Sequence, residues 1–220
     1  MKITKYKQSC FLIESRGTRI LVDPGCNDFT EDLVDNEWIN INAILVTHKH
    51  IDHINVDAVR KICSRDVAQL YTGQEVLREN KDKIFGNAVK VGERFFINGI
   101  EIKATEARHG WNPNLRGKEV ENSFGYMIKA EGKTVYIVGD SICFDNTYKC
   151  DVLCVPVSGG GLVMGTLEAA LYADMTEAKI VIPCHYDSPT YPVDINKLNE
   201  HFSNHNFKYY LLRNKETLEL

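Results

Sequence analysis

Residues 47–53 read Thr-His-Lys-His-Ile-Asp-His (THKHIDH), so three of the chain's seven histidines and one aspartate fall within six positions. The run leading into it, AILVTH (43–48), is apolar up to the cluster and reads as a short strand buried on both faces. The run after it, VDAVRKICSR (56–65), has helical spacing at Val56, Val59, Ile62 and Cys63. The cluster therefore sits where a strand gives way to a helix. On extended chain His48 and His50 point to the same side, because side chains alternate with period two, and Asp52 and His53 follow on the turn. Imidazole nitrogen and carboxylate oxygen are the atoms that zinc and its first-row neighbours favour, so the string points to metal.

Outward from the cluster, ITKYKQ (3–8), CFLIES (10–15) and TRILVD (18–23) read as three opening strands, with a turn at Arg16-Gly17 and a stop at Pro24-Gly25. AQLYTG (68–73) reads as a strand and QEVLREN (74–80) as a short helix. ERFFINGIEIKATEA (93–107) is a hairpin turning on Asn98-Gly99, and SFGYMIKAEGKTVYIVGD (123–140) a second one turning at Glu131-Gly132. DVLCVPV (151–157) and KIVIPCH (179–185) read as buried strands flanking an amphipathic helix, GTLEAALYADMT (165–176). A helix over 193–201 and strands FKYYLL (207–212) and ETLEL (216–220) complete the chain. Strands outnumber helices and fall into two groups. The pattern predicts an α/β chain of the α+β kind, two sheets face to face with helices outside, rather than one doubly wound sheet. With no repeat, low-complexity tract or linker, residues 1–220 read as one domain.

In that arrangement His109, Asp140 and His185 each end a strand, and strand ends that share an edge converge. Asp140 follows Gly139, which lets the backbone approach closely. Four residues of one loop suffice for a single tetrahedral site; these three widen the set to seven.

The remaining composition narrows the partners. A net charge of −4 with no run of like charges marks no nucleic-acid or anionic membrane surface, so a small-molecule substrate is expected. The N-terminal MKITKYKQSC has no apolar stretch of signal-peptide length and nothing approaches the ~20 apolar residues of a membrane span, which predicts a cytoplasmic protein. Seven irregularly spaced cysteines read as reduced thiols, and Cys150 and Cys154, without a second pair, do not make a structural zinc site. A homo-oligomer stays open.

Asp23 in LVDPG, THKHIDH, His109, Asp140 and His185, in that order, resemble the five-motif signature of the metallo-β-lactamase superfamily along nearly the whole chain. DHINVDAV and the stretch from Asp151 to Tyr186 resemble the ascorbate-6-phosphate lactonase-like branch and neighbouring metal-dependent hydrolases. The resemblance implies a four-layer αββα sandwich with two divalent ions at the edge between sheets, zinc by base rate, manganese or iron as alternatives. It implies that His48, His50 and His109 hold the first ion, Asp52, His53 and His185 the second, and that Asp140 bridges. Asp23 would then support these ligands from behind; its other reading is a turn-forming aspartate before Pro24.

Two such ions bring a shared water's pKa from ~15.7 toward neutrality, so the implied function is hydrolysis of a lactone, ester or phosphoester of a small, anionic metabolite. Asp52 and Asp140 are the catalytic carboxylates of this reading. The polar segment RHGWNPNLRGKEVEN after Ala107 reads as a lid, with Trp111 a stacking surface and Arg116 or Lys118 anion contacts. Tyr186 is a candidate oxyanion donor, Lys49 points to solvent, and Gly159–Gly161 form a flexible turn without the GK[ST] of a phosphate loop. The competing classes are a phosphodiesterase or nuclease of the same fold, for which the chain has neither basic arm nor room for an insert, a di-iron redox protein, and a metal-dependent sensor without turnover.

Overall fold

The computed structural model describes residues 1–27, 30–188 and 190–220. The first half of the chain contains β1 (Lys2–Lys5), β2 (Phe11–Ser15), β3 (Thr18–Val22), β4 (Ala43–Leu45), α1 (Val56–Asp66), β5 (Gln69–Thr72), α2 (Gln74–Glu79) and β6 (Asn87–Ala88). The rest contains β7 (Arg94–Ile97), β8 (Ile100–Ala107), β9 (Ser123–Ala130), β10 (Lys133–Ile137), β11 (Val152–Pro156), α3 (Thr166–Met175), β12 (Ile180–Cys184), α4 (Ile195–Ser203), β13 (Lys208–Tyr209) and β14 (Glu216–Glu219).

Two seven-stranded sheets result, ordered β14-β1-β2-β3-β4-β5-β6 and β13-β12-β11-β10-β9-β8-β7. Each is mixed: antiparallel from β14 to β3 and from β10 to β7, parallel from β3 to β6 and from β10 to β13. Strand alternation sorts the side chains into layers. Phe11, Ile13, Ile20, Val22 and Leu45 of one sheet meet Ile102, Tyr126, Ile128, Ile137 and Ile182 of the other in a shared core. Leu12, Leu21, Ile44 and Leu70, on the opposite face of the first sheet, pack under Val59 and Ile62 of α1 and Val76 of α2. Tyr136, Leu153, Val155 and Val181 do the same on the second sheet under Ala169 and Tyr172 of α3 and Leu198 and Phe202 of α4. The fold is thus the four-layer αββα sandwich, with strands such as β4 and β11 buried on both faces.

The three expected hairpin turns form. Arg16-Gly17, Asn98-Gly99 and Glu131-Gly132 each place both central residues at positive φ, the backbone of a type I′ turn, whose twist matches the strands it joins. Asn55 caps α1 by accepting from Ala58 N–H at 3.0 Å. Elsewhere tertiary pairing trims the expected elements. The strand expected over 3–8 stops at Lys5, where the chain turns back through Tyr6 N–H to Cys10 O at 2.8 Å. FKYYLL pairs only over Lys208–Tyr209, because β12 offers its edge for two residues. A π-helical turn at Leu33–Glu37, followed by the fully buried Trp38, had no periodicity to announce it; it is held by packing against α1.

Candidate metal centre

Topology brings the chemistry to one edge. β3 and β4 are parallel neighbours, as are β10, β11 and β12, and β8 runs with β10 because both are antiparallel to β9. Their C-terminal ends release Asp23, the 47–53 loop, His109, Asp140 and His185 at the same border of the sandwich. Phe124 N–H donates to Thr47 O at 3.1 Å and ties the two sheets together there.

Asp23 organises the loop. Fully buried and at φ 49°, it accepts from Thr47 N–H (2.8 Å) and Thr47 Oγ1 (2.7 Å), and from His53 Nδ1 (2.7 Å). Gly25 lies against the backbone of Asp52, and Cys26 N–H to Ile51 O and Asn55 N–H to Pro24 O, both 2.7 Å, close the loop on either side.

The five histidines share one arrangement: each ties its outward ring nitrogen to a fixed protein group and turns the other inward. His53 Nδ1 meets the Asp23 carboxylate, His109 Nδ1 the Gly110 carbonyl at 2.7 Å, and His50 Nε2 the Lys118 carbonyl at 2.9 Å; against such acceptors the nitrogen must carry the hydrogen. Thr47 Oγ1 spends its proton on Asp23, so His48 Nδ1, 3.0 Å away, donates to it as well. Ser158 Oγ partners His185 Nδ1 at 3.1 Å. In four of the five rings, when neutral, the inward nitrogen is therefore the one with a lone pair to offer, the tautomer that a ligating histidine requires.

The inward atoms cluster. His48, His50 and His109 form one group and Asp52, His53 and His185 another, with all ligand atoms of each group within 4.8 Å of one another. Asp140 touches both: its Oδ1 is 3.2 Å from His53 Nε2, and its Oδ2 is 3.6 Å from His109 Nε2 and 3.5 Å from His185 Nε2. His53 Nε2, His109 Nε2 and Asp140 Oδ1 are buried without a hydrogen bond. An unpaired buried polar atom costs about 1–3 kcal/mol, so three of them within this cluster fit the binding of a cation there. A nitrogen and carboxylate donor set suits a divalent first-row ion.

Electrostatics agree with that fit. Burial pushes the His48 and His109 imidazoles down, toward the neutral form that can ligate. Burial works to raise the Asp52 and Asp140 carboxyls, but His53 and His185 outweigh it and hold both below the usual range. His53 and His185 are pulled down by burial and up, more strongly, by Asp140 and Asp52, with Asp23 adding to the effect at His53. Without an ion, both rings hold a proton more readily than a free imidazole does. Burial pushes the Asp23 carboxyl up.

A cavity of about 550 Å³ opens over the cluster, reaching His50, Asp52, His109, Asp140 and His185. The segment after His109 forms one wall through Asn114, Leu115, Gly117 and Lys118. Of the expected substrate contacts, Lys118 lines the cavity and Trp111, Arg116 and Tyr186 do not. Trp111 is 55% exposed and, like Arg116, outside the lining, because Pro113–Leu115 form a tight turn that presents Leu115 inward instead. Tyr186 faces away: its hydroxyl donates to Leu212 O and its ring lies under the Lys5 ammonium. Lys49 does not run to solvent but to Glu75 at 2.7 Å and Glu79 at 3.0 Å. Gly159, Gly160 and Gly161 all take positive φ, and Gly110 N–H donates to the adjoining Leu162 O at 2.7 Å, so this turn buttresses the His109 loop. Gln8, Asn27 and Tyr191 also line the cavity; no motif pointed to them, and Gln8 fell inside an expected strand.

A sequence model of the beta-lactamase superfamily domain matches residues 2–185. A metal-dependent hydrolase of Korarchaeum cryptofilum is 31% identical over 219 residues, covering 94% of this chain and 93% of its own. One of Listeria innocua is 30% identical over 208 residues, 88% of this chain and 87% of its own. Among solved structures, Igni18, a metallo hydrolase from the archaeon Ignicoccus hospitalis, superposes with a TM-score of 0.81 at 25% identity, covering 100% of this chain and 98% of that one. An isothiocyanate hydrolase from Delia radicum gut bacteria shares the fold with a TM-score of 0.78 at 19% identity, covering 100% and 99%.

Proposed function

From its membership of the metallo-β-lactamase superfamily, as a metal-dependent hydrolase of that fold, we propose that this chain binds two divalent ions, zinc first, and hydrolyses a lactone, ester or phosphoester bond of a small metabolite. The observation that carries the reading is the arrangement of the histidines, four of which, when neutral, present a bare nitrogen to the cluster. His48, His50 and His109 would hold one ion, Asp52, His53 and His185 the other, and Asp140 would reach both. When bound, such a pair supplies Lewis acidity, lowering the pKa of water toward neutrality and polarising the oxygen under attack.

The chain's own groups do the rest. Asp52 is the carboxylate whose side chain is a quarter open to the cavity, which places it to take a proton from attacking water and return it to the leaving oxygen. Asp140, almost fully buried, holds His53, His109 and His185 in register. Lys118 has no carboxylate partner among the described residues and is the group in the wall that favours an anionic substituent, while Ile51, Leu162 and Val163 favour an apolar one. Among the described residues no helix is long and apolar enough to cross a membrane, and the reading places the substrate in the cytoplasm.

The test is a zinc and manganese titration of chelated protein followed by a panel of lactones, thioesters and phosphodiesters. Two tight equivalents and turnover that disappears in folded His50→Ala and Asp140→Ala variants are expected. Less than one tight equivalent, with no activity restored by either metal, refutes the proposal.

A further inference from the structure

The cavity holds one buried polar side chain that the metal centre does not use. Gln8 is 3% exposed, lines the cavity with His185 and Asp52, and its Oε1 is buried without a hydrogen bond. Its carboxamide makes no hydrogen bond at either end among the described residues, although the same turn satisfies the main chain on both sides of it. Gln8 N–H donates to Asp187 Oδ1 at 2.8 Å, and Gln8 O accepts from His185 N–H at 3.1 Å. Asp187 is fixed in turn by the fully buried Lys5, whose Nζ lies 3.2 Å from Oδ2 and donates to Tyr6 O at 2.8 Å. The residue sits at φ 53°, a conformation that disfavours any side chain except glycine, and His185 takes φ 58° opposite it. A buried ammonium, a carboxylate and two strained residues thus fix the backbone of one glutamine. Its side-chain amide is left with no partner among the described residues.

Natural proteins rarely leave such a group unpaired, and when they do the missing partner is water or a ligand. The unpaired Oε1 accepts and the amide N–H donates, so the complement is a substrate with an uncharged group that sets an O–H or N–H beside a carbonyl, as in a hydroxy ester. Resting on the hydrolase reading above, we propose that Gln8 is a substrate-binding residue: its carboxamide hydrogen-bonds the polar group beside the scissile bond and holds the substrate against the histidine and aspartate cluster. Lys5 and Asp187 are positioning residues for it, acting through the backbone of Gln8 and His185.

The experiment compares Gln8→Met, an unbranched apolar substitute of similar length, with wild type as full-length, zinc-loaded protein. Thermal midpoints are measured first, then kinetics on p-nitrophenyl glycolate and α-hydroxy-γ-butyrolactone, two esters with a hydroxyl donor beside the scissile carbonyl. Relief of the unpaired amide is expected to raise the midpoint of Gln8→Met by about 2–4 °C, whereas a structural glutamine would lower it on replacement. On both esters KM is expected to rise about tenfold with kcat within about threefold and zinc content unchanged, the signature of lost ground-state binding. Gln8→Glu, which keeps the shape but loses the donor, is expected to raise KM at least as far. A lowered midpoint in Gln8→Met, or KM within twofold of wild type in both variants, overturns the proposal. If wild type turns over neither ester while Gln8→Met still gains stability, the ester and lactone reading falls, and the unpaired, ligand-facing state of Gln8 is upheld.

Discussion

Replacing Gly25 with alanine tests the metal centre where the backbone is tightest. A β-carbon built at residue 25 lies 1.9 Å from Asp52 O, 2.2 Å from Asp52 C and 2.9 Å from His53 N. Ordinary contact begins near 3.4 Å, so the Asp52 peptide must retreat by about 1.5 Å. No flexible side chain can absorb that shift, since all three atoms are main chain. The loop is also pinned by Cys26 N–H to Ile51 O and by Asn55 N–H to Pro24 O. The displaced residues are two of the three in the Asp52, His53, His185 group; His48, His50 and His109 are anchored independently through Thr47, Lys118 and Gly110. On the two-ion proposal, Gly25→Ala is therefore expected to bind one zinc tightly against two for wild type, to lose about 1–3 kcal/mol of stability from overpacking, and to lose at least ~10²-fold in kcat/KM from a misplacement greater than 1 Å. A chelator-competition titration with a chromogenic zinc indicator reads the stoichiometry, and a denaturant melt the stability. Gly17→Ala serves as control: its φ of 77° is strained for alanine, but its surroundings are open and far from the cluster, so stability drops without any change in metal content. Two tight equivalents in folded Gly25→Ala would refute the reasoning.

The other predictions concern the supports of the site. Asp23→Ala strips partners from Thr47 N–H, Thr47 Oγ1 and His53 Nδ1, and is expected to cost about 3 kcal/mol or more in a denaturant melt and ~10–100-fold in zinc affinity by competition titration. In chelated protein the raised pKa of His53, which burial opposes and Asp140, Asp23 and Asp52 impose, gives stability that is fully present below the ordinary histidine value and lost as pH rises through the folded value. His185 is raised in the same way by Asp140 and Asp52. Thermal midpoints of the chelated protein are therefore expected to fall as pH rises above the ordinary histidine value of about 6.5 while those of the zinc-loaded protein do not; a parallel course refutes this. Tyr186→Phe removes the donor to Leu212 O outside the cavity, so about 1 kcal/mol of stability is expected to go while kcat/KM stays within twofold of wild type.

Much of the site was legible because its residues are chemically unlike their neighbours. THKHIDH is conspicuous in any chain, and His109, Asp140 and His185 stand at the ends of apolar runs whose period already marks them as strands. The lining of the cavity was less legible in that way. Trp111 and Tyr186 drew attention by residue type, yet a tight turn at Pro113–Leu115 and a carbonyl at Leu212 carry them out of the cavity. Lys49 looked solvated because its partners, Glu75 and Glu79, lie a helix away in sequence.

Local pattern alone determined the alternation that builds two sheets, the type I′ turns, and the set of ligand-type side chains, since each depends on residues within a few positions of one another. Tertiary structure decided what depends on distance through space. It set which ring nitrogen of each histidine faces inward, as that follows from acceptors such as Asp23 and Lys118 elsewhere in the chain. It also took Gln8 out of an expected strand and placed its amide, unpaired, beside His185, a position created by a lysine, an aspartate and a backbone turn that no sequence window contains together.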